Sequence, residues 1–269
     1  MKCVAAIQMA SGPNIDANLN EAARSINAAA KAGAGLVVLP ENFALMANNE
    51  IDNVTNAEQD GQGKIQDFLV DQAVKNNVWI VGGTVPILAK SGDKVRAACL
   101  VFNNSGERVA RYDKIHLFDV ELVDTNEHYA ESNTVEPGNE VVVIDSPFGR
   151  MGIAICYDLR FPELFRALLD KGAEIFVVPS SFTAITGRAH WEVIVRARAI
   201  ENLSFVIAAA QGGYHVNGRE THGDSMIVDP WGTVLDRLPQ GSGFVLANID
   251  EERLASTRRN FPAIEHRKL

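Results

Sequence analysis

The chain has 269 residues, of which 46% are hydrophobic and 22% are charged, and its formal net charge is −9. This length and composition are typical of a globular enzyme with a sizeable core. The acidic balance, without a long run of lysine and arginine, argues against a nucleic-acid partner, because phosphate binding needs a basic face.

Hydrophobic periodicity in the first half of the chain predicts alternating strands and helices. Strands are predicted at residues 4–9, 36–39, 79–85, 97–102 and 109–112, and helices at residues 18–32 and 64–76. Gly33 and Gly35 end the first helix, and Pro40 stops the strand that follows. Residues 115–139 form a long polar connection, of the kind that usually carries function.

The second half repeats this alternation. Strands are predicted at residues 141–144, 152–156, 175–178, 205–210, 226–228, 234–237 and 244–249, and helices at residues 162–171 and 190–201. Residues 31–40 and 171–179 resemble two copies of one junction, in which small residues end a helix and a proline ends the next strand. This predicts a pseudo-symmetric α/β architecture with two sheets between helical layers. No linker divides the chain, so we expect a single domain over residues 1–269.

Cys156 ends a predicted strand and precedes a short polar turn and a helix. At such an elbow the free N–H groups and the dipole of the helix start favour the thiolate, which is the nucleophilic form of cysteine. A buried structural cysteine remains the alternative, because free cysteine is among the most buried residue types. Together with Cys3 and Cys99 it makes an odd number without a CxxC pair, which argues against disulfides and against a metal site.

The N-terminal segment argues against export. Residues 1–10 are apolar at only a few positions and include Gln8, so this stretch is too short for a signal peptide or a membrane span. We therefore expect a cytoplasmic protein without a membrane partner.

Several common catalytic motifs are missing from the sequence. It contains no G-x-S-x-G serine elbow, no G-x-x-x-x-G-K-[ST] phosphate loop and no H-E-x-x-H zinc motif. His215 and His222 fall in a glycine-rich segment, where we expect polar surface residues. A papain-like pairing of a cysteine with a distant histidine stays open, because such partners are far apart in sequence.

Three chemically complementary residues follow predicted strands. Glu41 follows the strand at 36–39, Lys114 follows the strand at 109–112, and Cys156 ends the strand at 152–156. Each one taken alone is more often a surface, capping or structural residue. In open α/β sheets, however, functional groups gather at the carboxyl ends of strands, so the three together indicate a site.

The segments around these residues resemble the signatures of the nitrilase superfamily of carbon–nitrogen hydrolases. They are Pro-Glu-Asn-Phe at 40–43, Asp-Lys-Ile-His-Leu-Phe at 113–118 and Gly-Ile-Ala-Ile-Cys-Tyr-Asp-Leu-Arg-Phe-Pro-Glu-Leu at 152–164. The match continues at 189–193, 196–201, 208–211 and 228–232. The resemblance implies an α-β-β-α sandwich that commonly forms a homodimer or a higher homo-oligomer, with a Glu41–Lys114–Cys156 triad. It also implies a second glutamate, for which Glu131 fits better than Glu121, Glu127 or Glu136.

The resemblance further implies a thiol-dependent amidase that needs no metal or organic cofactor. It would hydrolyse the C–N bond of a small carboxylated amide through a cysteine thioester, releasing ammonia and a carboxylic acid. Residues 181–201 are most similar to the branch associated with deaminated glutathione amidase, and the ω-amidases acting on α-ketoglutaramate and α-ketosuccinamate are close to it. A nitrilase acting on R–C≡N and a non-catalytic binding scaffold remain alternatives.

A carboxylated substrate on an acidic chain requires local positive charge, and arginine suits carboxylates because its planar fork binds them bidentately. Arg160, four residues after the nucleophile, and Arg188, which stands where the family pattern has a smaller residue, are the candidates. Tyr157 would contribute its backbone N–H to an oxyanion, and Phe182 would line the pocket. Arg196 and Arg198 are expected to be structural or surface residues.

Overall fold

The structure is a computed structural model that describes residues 2–122 and 127–268. Its helices are α1 (Ile15–Lys31), α2 (Ile51–Thr55), α3 (Lys64–Asn76), α4 (Pro162–Asp170), α5 (Ala184–Asn202) and α6 (Glu251–Asn260). Short 3₁₀ helices lie at Glu131–Asn133 and Cys156–Arg160.

The strands before Cys156 are β1 (Lys2–Gln8), β2 (Leu36–Val38), β3 (Trp79–Val81), β4 (Val85–Leu88), β5 (Val95–Phe102), β6 (Arg108–Asp113), β7 (Asp119–Leu122), β8 (Glu127–Ala130), β9 (Val143–Ile144) and β10 (Met151–Ile153). Those after it are β11 (Ile175–Ser180), β12 (Phe205–Ala210), β13 (Gly212–Tyr214), β14 (Glu220–His222), β15 (Ser225–Val228), β16 (Val234–Leu238) and β17 (Gly243–Ile249).

Within the described ranges, two large sheets account for most of these strands. One has seven strands in the order β17-β1-β2-β3-β5-β4, with β6 paired to β5, and the other has six in the order β16-β15-β12-β11-β10-β9. β1, β2 and β3 are parallel neighbours in the first sheet, as β10, β11 and β12 are in the second. The two junctions that resemble each other in sequence lead into β2 and β11, which occupy equivalent central positions. The pseudo-symmetry expected from the sequence is therefore present.

Successive side chains of β1 point to opposite faces of the sheet, and this alternation shows how the sheets and helices are layered. Val4 and Ala6 belong to the core between the two sheets, whereas Ala5 and Ile7 pack with the apolar faces of α1 and α3. The strand is buried on both faces, as expected for a parallel strand covered by helices on one side and by a second sheet on the other. On the far side, α4 and α5 pack against the second sheet. The expected α-β-β-α sandwich is confirmed.

Local sequence explains why α1 forms. The Asn14 side chain caps its first turn by accepting a hydrogen bond from the Ala17 N–H. Leu19, Ala22 and Ile26 follow at helical spacing and are buried against the sheet. No helix within the part of the chain that the structure describes combines the length and apolar character needed to cross a membrane.

Some predicted boundaries were wrong for identifiable reasons. The strand predicted at 79–85 is interrupted after Val81, because Gly83 adopts a φ of +56° and turns the chain. α5 begins at Ala184 rather than at residue 190, since the Thr183 side chain accepts from the Thr186 N–H and starts the helix early. The connection at 115–139 is not irregular throughout, because β7 and β8 form a hairpin within it; residues 123–126 lie outside the described residues.

The tight turn at Gly83 packs against the backbone of Pro40, the residue before Glu41, and a substitution at Gly83 tests this packing. A Cβ there would overlap the carbonyl oxygen of Pro40 and would also require an unfavourable positive φ. We expect Gly83→Ala to lower the free energy of unfolding by roughly 3–4 kcal/mol. Gly92 has a φ of +83° but no neighbour near its Cβ position, so Gly92→Ala should cost only about 1 kcal/mol. Equal losses in urea unfolding of the two variants would contradict the proposed overlap.

Candidate active site

The three residues singled out by the sequence converge at one end of the sheets. Glu41 lies just beyond β2, Lys114 follows β6 directly, and Cys156 begins the 3₁₀ turn after β10. They are nearly buried, with exposed fractions of 5%, 2% and 7%. All three line a cavity of about 500 Å³. The strand ends therefore bring together a carboxylate, an ammonium and a thiol.

Lys114 occupies the centre of this group. Its Nζ donates to Oε1 of Glu41 at 2.8 Å and to Oε1 and Oε2 of Glu131 at 3.0 and 2.9 Å. Burial by itself would lower the pKa of this ammonium, but the carboxylates of Glu131 and Glu41 outweigh burial and hold the pKa well above its ordinary value. Lys114 is therefore a fixed positive charge.

Glu131 lies at the end of the β7–β8 hairpin and is held from two sides. In addition to Lys114, the backbone N–H of Phe118 donates to its Oε2 at 2.7 Å. Burial and the nearby charge of Glu41 raise the pKa of the Glu131 carboxyl, although Lys114 and the Phe118 N–H oppose this shift. The alternative glutamates lie in other contacts: Glu136 pairs with Arg96 at 2.7 Å, and Glu127 accepts from the Tyr129 hydroxyl.

Cys156 occupies a strained backbone position, with a φ of +46°. Non-glycine residues rarely adopt this conformation, and such strain is typical of functional elbows. Its Sγ accepts a hydrogen bond from the Ser181 N–H at 3.5 Å. Burial and the charge of Glu41 nevertheless raise the pKa of the thiol, more than Lys114 and the Ser181 N–H lower it. Burial and Glu41 therefore oppose the expected effect of the local helix start on this thiol.

Asp158 connects the segment that carries Lys114 to the turn that carries Cys156. Its carboxylate accepts from the Tyr112 hydroxyl at 2.7 Å and from the Ile155 N–H at 2.8 Å, and it contacts Nδ1 of His116 at 2.7 Å. Tyr112 and His116 lie two residues on either side of Lys114. From the sequence, Asp158 was recognised only as part of a motif, because its full burial and its contacts with Tyr112 and His116 appear only in the structure.

Aromatic side chains form one wall of the cavity. Tyr157 and Phe118 lie edge to face at 5.1 Å, and Phe118 packs on Tyr129 at 5.0 Å between ring centroids. The Arg160 guanidinium lies 5.2 Å from the Phe182 ring centroid and 5.7 Å from that of Tyr157. The sequence-derived candidates Tyr157, Arg160 and Phe182 therefore all line the cavity.

Arg188, the fourth residue proposed from the sequence to contact the substrate, does not line this cavity. The early start of α5 places Arg188 in the helix, where it is exposed and borders a separate surface depression with His190 and Arg237. Arg219, in the turn between β13 and β14, lines the catalytic cavity instead. The sequence analysis missed Arg219, because nothing in a polar, glycine-rich turn indicates that it folds back over the site.

The histidines give no support to a papain-like pair. In the described ranges, no histidine is hydrogen-bonded to Sγ of Cys156. His215 was expected at the surface but is buried, with Nδ1 2.7 Å from Ser11 O and Nε2 2.7 Å from Thr221 Oγ1. Nor do three His, Cys, Asp or Glu side chains among these residues converge in a way that could hold a metal ion.

Curated proteins from several organisms resemble this chain over most of its length. A curated protein of Yersinia enterocolitica named deaminated glutathione amidase is 41% identical over 266 residues, covering 98% of this chain and 92% of its own. The human protein of the same name is 40% identical over 269 residues, covering 98% of this chain and 82% of its own.

Solved structures show the same fold. The Caenorhabditis elegans NitFhit protein superposes with a TM-score of 0.92 at 34% identity, covering 99% of this chain and 65% of that longer chain. Saccharomyces cerevisiae Nit3, a nitrilase-superfamily member, superposes with a TM-score of 0.89 at 31% identity, covering 100% of this chain and 97% of its own. The family model described as carbon-nitrogen hydrolase matches residues 3–259. With this match over most of its length and a thiol, an ammonium and carboxylates gathered at the strand ends, the chain belongs to the carbon-nitrogen hydrolase family.

Proposed function

We propose that this protein is an amidase that hydrolyses the C–N bond of a small carboxylated amide, with deaminated glutathione as its preferred substrate. The observation that carries this proposal is the buried Lys114, held between Glu41 and Glu131 in the cavity that contains Cys156. The names of the curated relatives, which match nearly the whole chain, support the choice of substrate.

The first half of the reaction forms a thioester. Glu41 takes the proton of the Cys156 thiol while Sγ attacks the amide carbonyl carbon. The carbonyl oxygen becomes an oxyanion, which the Lys114 ammonium and the Tyr157 N–H stabilise by about 3–4 kcal/mol per donor. When the C–N bond breaks, Glu41 passes its proton to the departing nitrogen. A resting thiol with a raised pKa fits this order, because the base is needed before the attack can occur.

The second half releases the acid. Water gives a proton to Glu41 and its oxygen attacks the thioester carbonyl, forming a second oxyanion at the same donors. The C–S bond then breaks, Glu41 returns the proton to Sγ, and the carboxylic acid leaves. Glu131 supports both steps by keeping Lys114 charged and in place. For simple amides the nitrogen product is ammonia, whereas for deaminated glutathione it is the amine of cysteinylglycine.

The walls of the cavity suit an acyl chain that carries charge. Phe182 and the ring of Tyr157 offer apolar contact, and the Arg160 guanidinium between them provides a donor for a carboxylate. These three residues are the proposed substrate contacts. Arg188 is not retained, because it lies outside this cavity.

A substrate panel tests the function directly. Deaminated glutathione, α-ketoglutaramate, simple amides and nitriles should be offered to the purified enzyme, and the amine or ammonia released should be measured. We expect the highest kcat/KM for deaminated glutathione, lower values for α-ketoglutaramate and simple amides, and none for nitriles. Preference for α-ketoglutaramate would make the protein an ω-amidase, turnover of nitriles would make it a nitrilase, and no turnover would leave a binding scaffold.

The catalytic roles predict a graded set of losses. Cys156→Ser should abolish turnover, because a hydroxyl is a much weaker nucleophile with the same base. Glu41→Gln and Lys114→Ala should each lose several orders of magnitude in kcat, and their double variant should be little worse than either, because the residues act as a unit. Glu131→Gln should cost less than Glu41→Gln.

The matched control is Cys3→Ser, which removes a thiol in β1 outside the cavity and should keep most of the activity. Circular dichroism must accompany Lys114→Ala, since that variant leaves two buried carboxylates uncompensated. Activity of Cys156→Ser near that of the wild type would refute the nucleophile.

We propose that the chain forms a homodimer, supported by apolar side chains that are exposed on one face. Val193 and Ile200 lie two turns apart on α5, and Trp231 packs edge to face on Phe261 at 5.4 Å. Adjacent exposed apolar groups of this size mark association sites. Light scattering should give twice the chain mass of 29.2 kDa, and Val193→Asp should shift the mass towards the monomer. Val74→Asp, at an exposed site on α3, should not. A monomeric wild type would contradict the proposal.

The cellular setting and the domain organisation are also proposals. We propose a single domain over residues 1–269, because one apolar cluster joins the facing sides of both sheets. A cytoplasmic location is supported by the cysteines, all three of which are free.

A further inference from the structure

Two residues that line the cavity each carry a buried polar atom without a hydrogen-bond partner. Within the described part of the chain, Ser181 Oγ and Arg219 Nε are the buried side-chain atoms left unsatisfied. Both residues line the catalytic cavity. Leaving a buried donor unpaired costs about 1–3 kcal/mol, so native proteins rarely tolerate it without a compensating partner. Two such atoms in one cavity indicate that the partner arrives with the substrate.

Hydrogen bonds through the backbone of Ser181 connect Arg219 to the thiol of Cys156. The Ser181 N–H donates to Cys156 Sγ at 3.5 Å, and the Ser181 carbonyl accepts from Arg219 Nη2 at 2.8 Å. Since these links run through the backbone of a single residue, the guanidinium lies no more than about 10 Å from the sulfur. A thioester carrying a five-carbon chain, with bonds of about 1.5 Å, reaches a hydrogen-bonding group over a similar span. Ser181 is the nearer contact and Arg219 the farther one.

The positive charge of Arg219 is available to a ligand in the cavity. Its guanidinium lies 5.2 Å from the Tyr129 ring centroid and, among the described residues, forms no ion pair with a carboxylate. By contrast, Arg237 pairs with Asp224 and Arg198 pairs with Glu201. A partly buried guanidinium that commits only Nη2 to a protein oxygen keeps donors for an incoming anion.

We propose that Arg219 and Ser181 form the acyl-group subsite of this enzyme, with Arg219 binding the terminal carboxylate of a 2-oxo acid amide and Ser181 Oγ donating to its keto oxygen. The inference rests on the proposed amidase function and specifies the acyl part of its substrate. It also accounts for how an acidic protein can accept an acidic substrate, because the β13–β14 turn adds Arg219 to the positive charge that Arg160 brings to the cavity.

The kinetic test compares two amides with the same chain length. α-Ketoglutaramate carries the keto and carboxylate groups, and pentanamide carries neither. Arg219→Gln should lower kcat/KM for α-ketoglutaramate about 10- to 100-fold, mainly through KM, because a charge-assisted hydrogen bond is lost. It should change pentanamide turnover by less than about twofold. Arg219→Lys, which keeps the charge but not the fork, should recover part of the loss. The control Arg24→Gln removes an exposed arginine of α1 and should change neither rate.

Ser181→Ala separates recognition from structural support. If its hydroxyl has no partner in the free enzyme, the variant should keep or slightly raise the melting temperature while losing about 5- to 10-fold in kcat/KM for α-ketoglutaramate. A lower melting temperature with equal losses on both amides would mean that Ser181 supports the fold and would overturn its assignment.

Binding of 2-oxoglutarate, the acyl product, to Cys156→Ala tests the subsite without turnover. Calorimetry should show binding that Arg219→Gln weakens about 10- to 100-fold in this background. If the wild type hydrolyses both amides and Arg219→Gln affects them equally, the subsite is wrong and the amidase function stands. If no amide is hydrolysed but Arg219-dependent binding is seen, the amidase function is wrong and the subsite stands. Absence of binding, or binding that does not depend on Arg219, overturns the inference.

Discussion

The site depends on burying one ammonium group. Lys114 is 2% exposed, and a charge removed from water to this extent persists only with compensating partners. Glu41 and Glu131 supply that compensation from segments that precede and follow Lys114 in the chain. The lysine therefore orients both carboxylates, and the carboxylates keep the lysine charged. Removing one partner of such a group typically costs about 3–5 kcal/mol, so the position of the chemistry and the stability of this end of the sandwich are linked.

The charges of Glu41 and Lys114 also act on the thiol of Cys156. Burial, aided by the charge of Glu41, raises the pKa of the Cys156 thiol and also raises the pKa of the Glu131 carboxyl. The resting enzyme therefore holds an unreactive sulfur. In the proposed mechanism the sulfur becomes reactive only when the carboxylate of Glu41 takes its proton.

The triad and the core strands could be predicted from the sequence because their signals are local. At Glu41 and Cys156 an apolar run stops at a residue with a reactive side chain, and Lys114 directly follows a strand of the predicted hairpin, so each strand end is visible in the local sequence. Other features depend on tertiary packing. Only Leu254 and Thr257 of α6 are buried, so that helix lacked an apolar stripe and was missed. The β13–β14 hairpin positions Arg219, and the Thr183 cap starts α5 early and leaves Arg188 exposed to solvent. Neither effect can be recognised from the periodicity of apolar residues in the sequence.

The strand order of the first sheet has a consequence for biosynthesis. β1 lies between β2 and β17, and Lys2 pairs with Ile249, so one edge of β1 has no partner until nearly the whole chain has been made. An unpaired hydrophobic edge is a template for aggregation, and pairings between such distant residues form slowly. The emerging chain therefore carries an unpaired edge on its first strand until β17 has been made, and during this interval that edge is open to pairing with other chains.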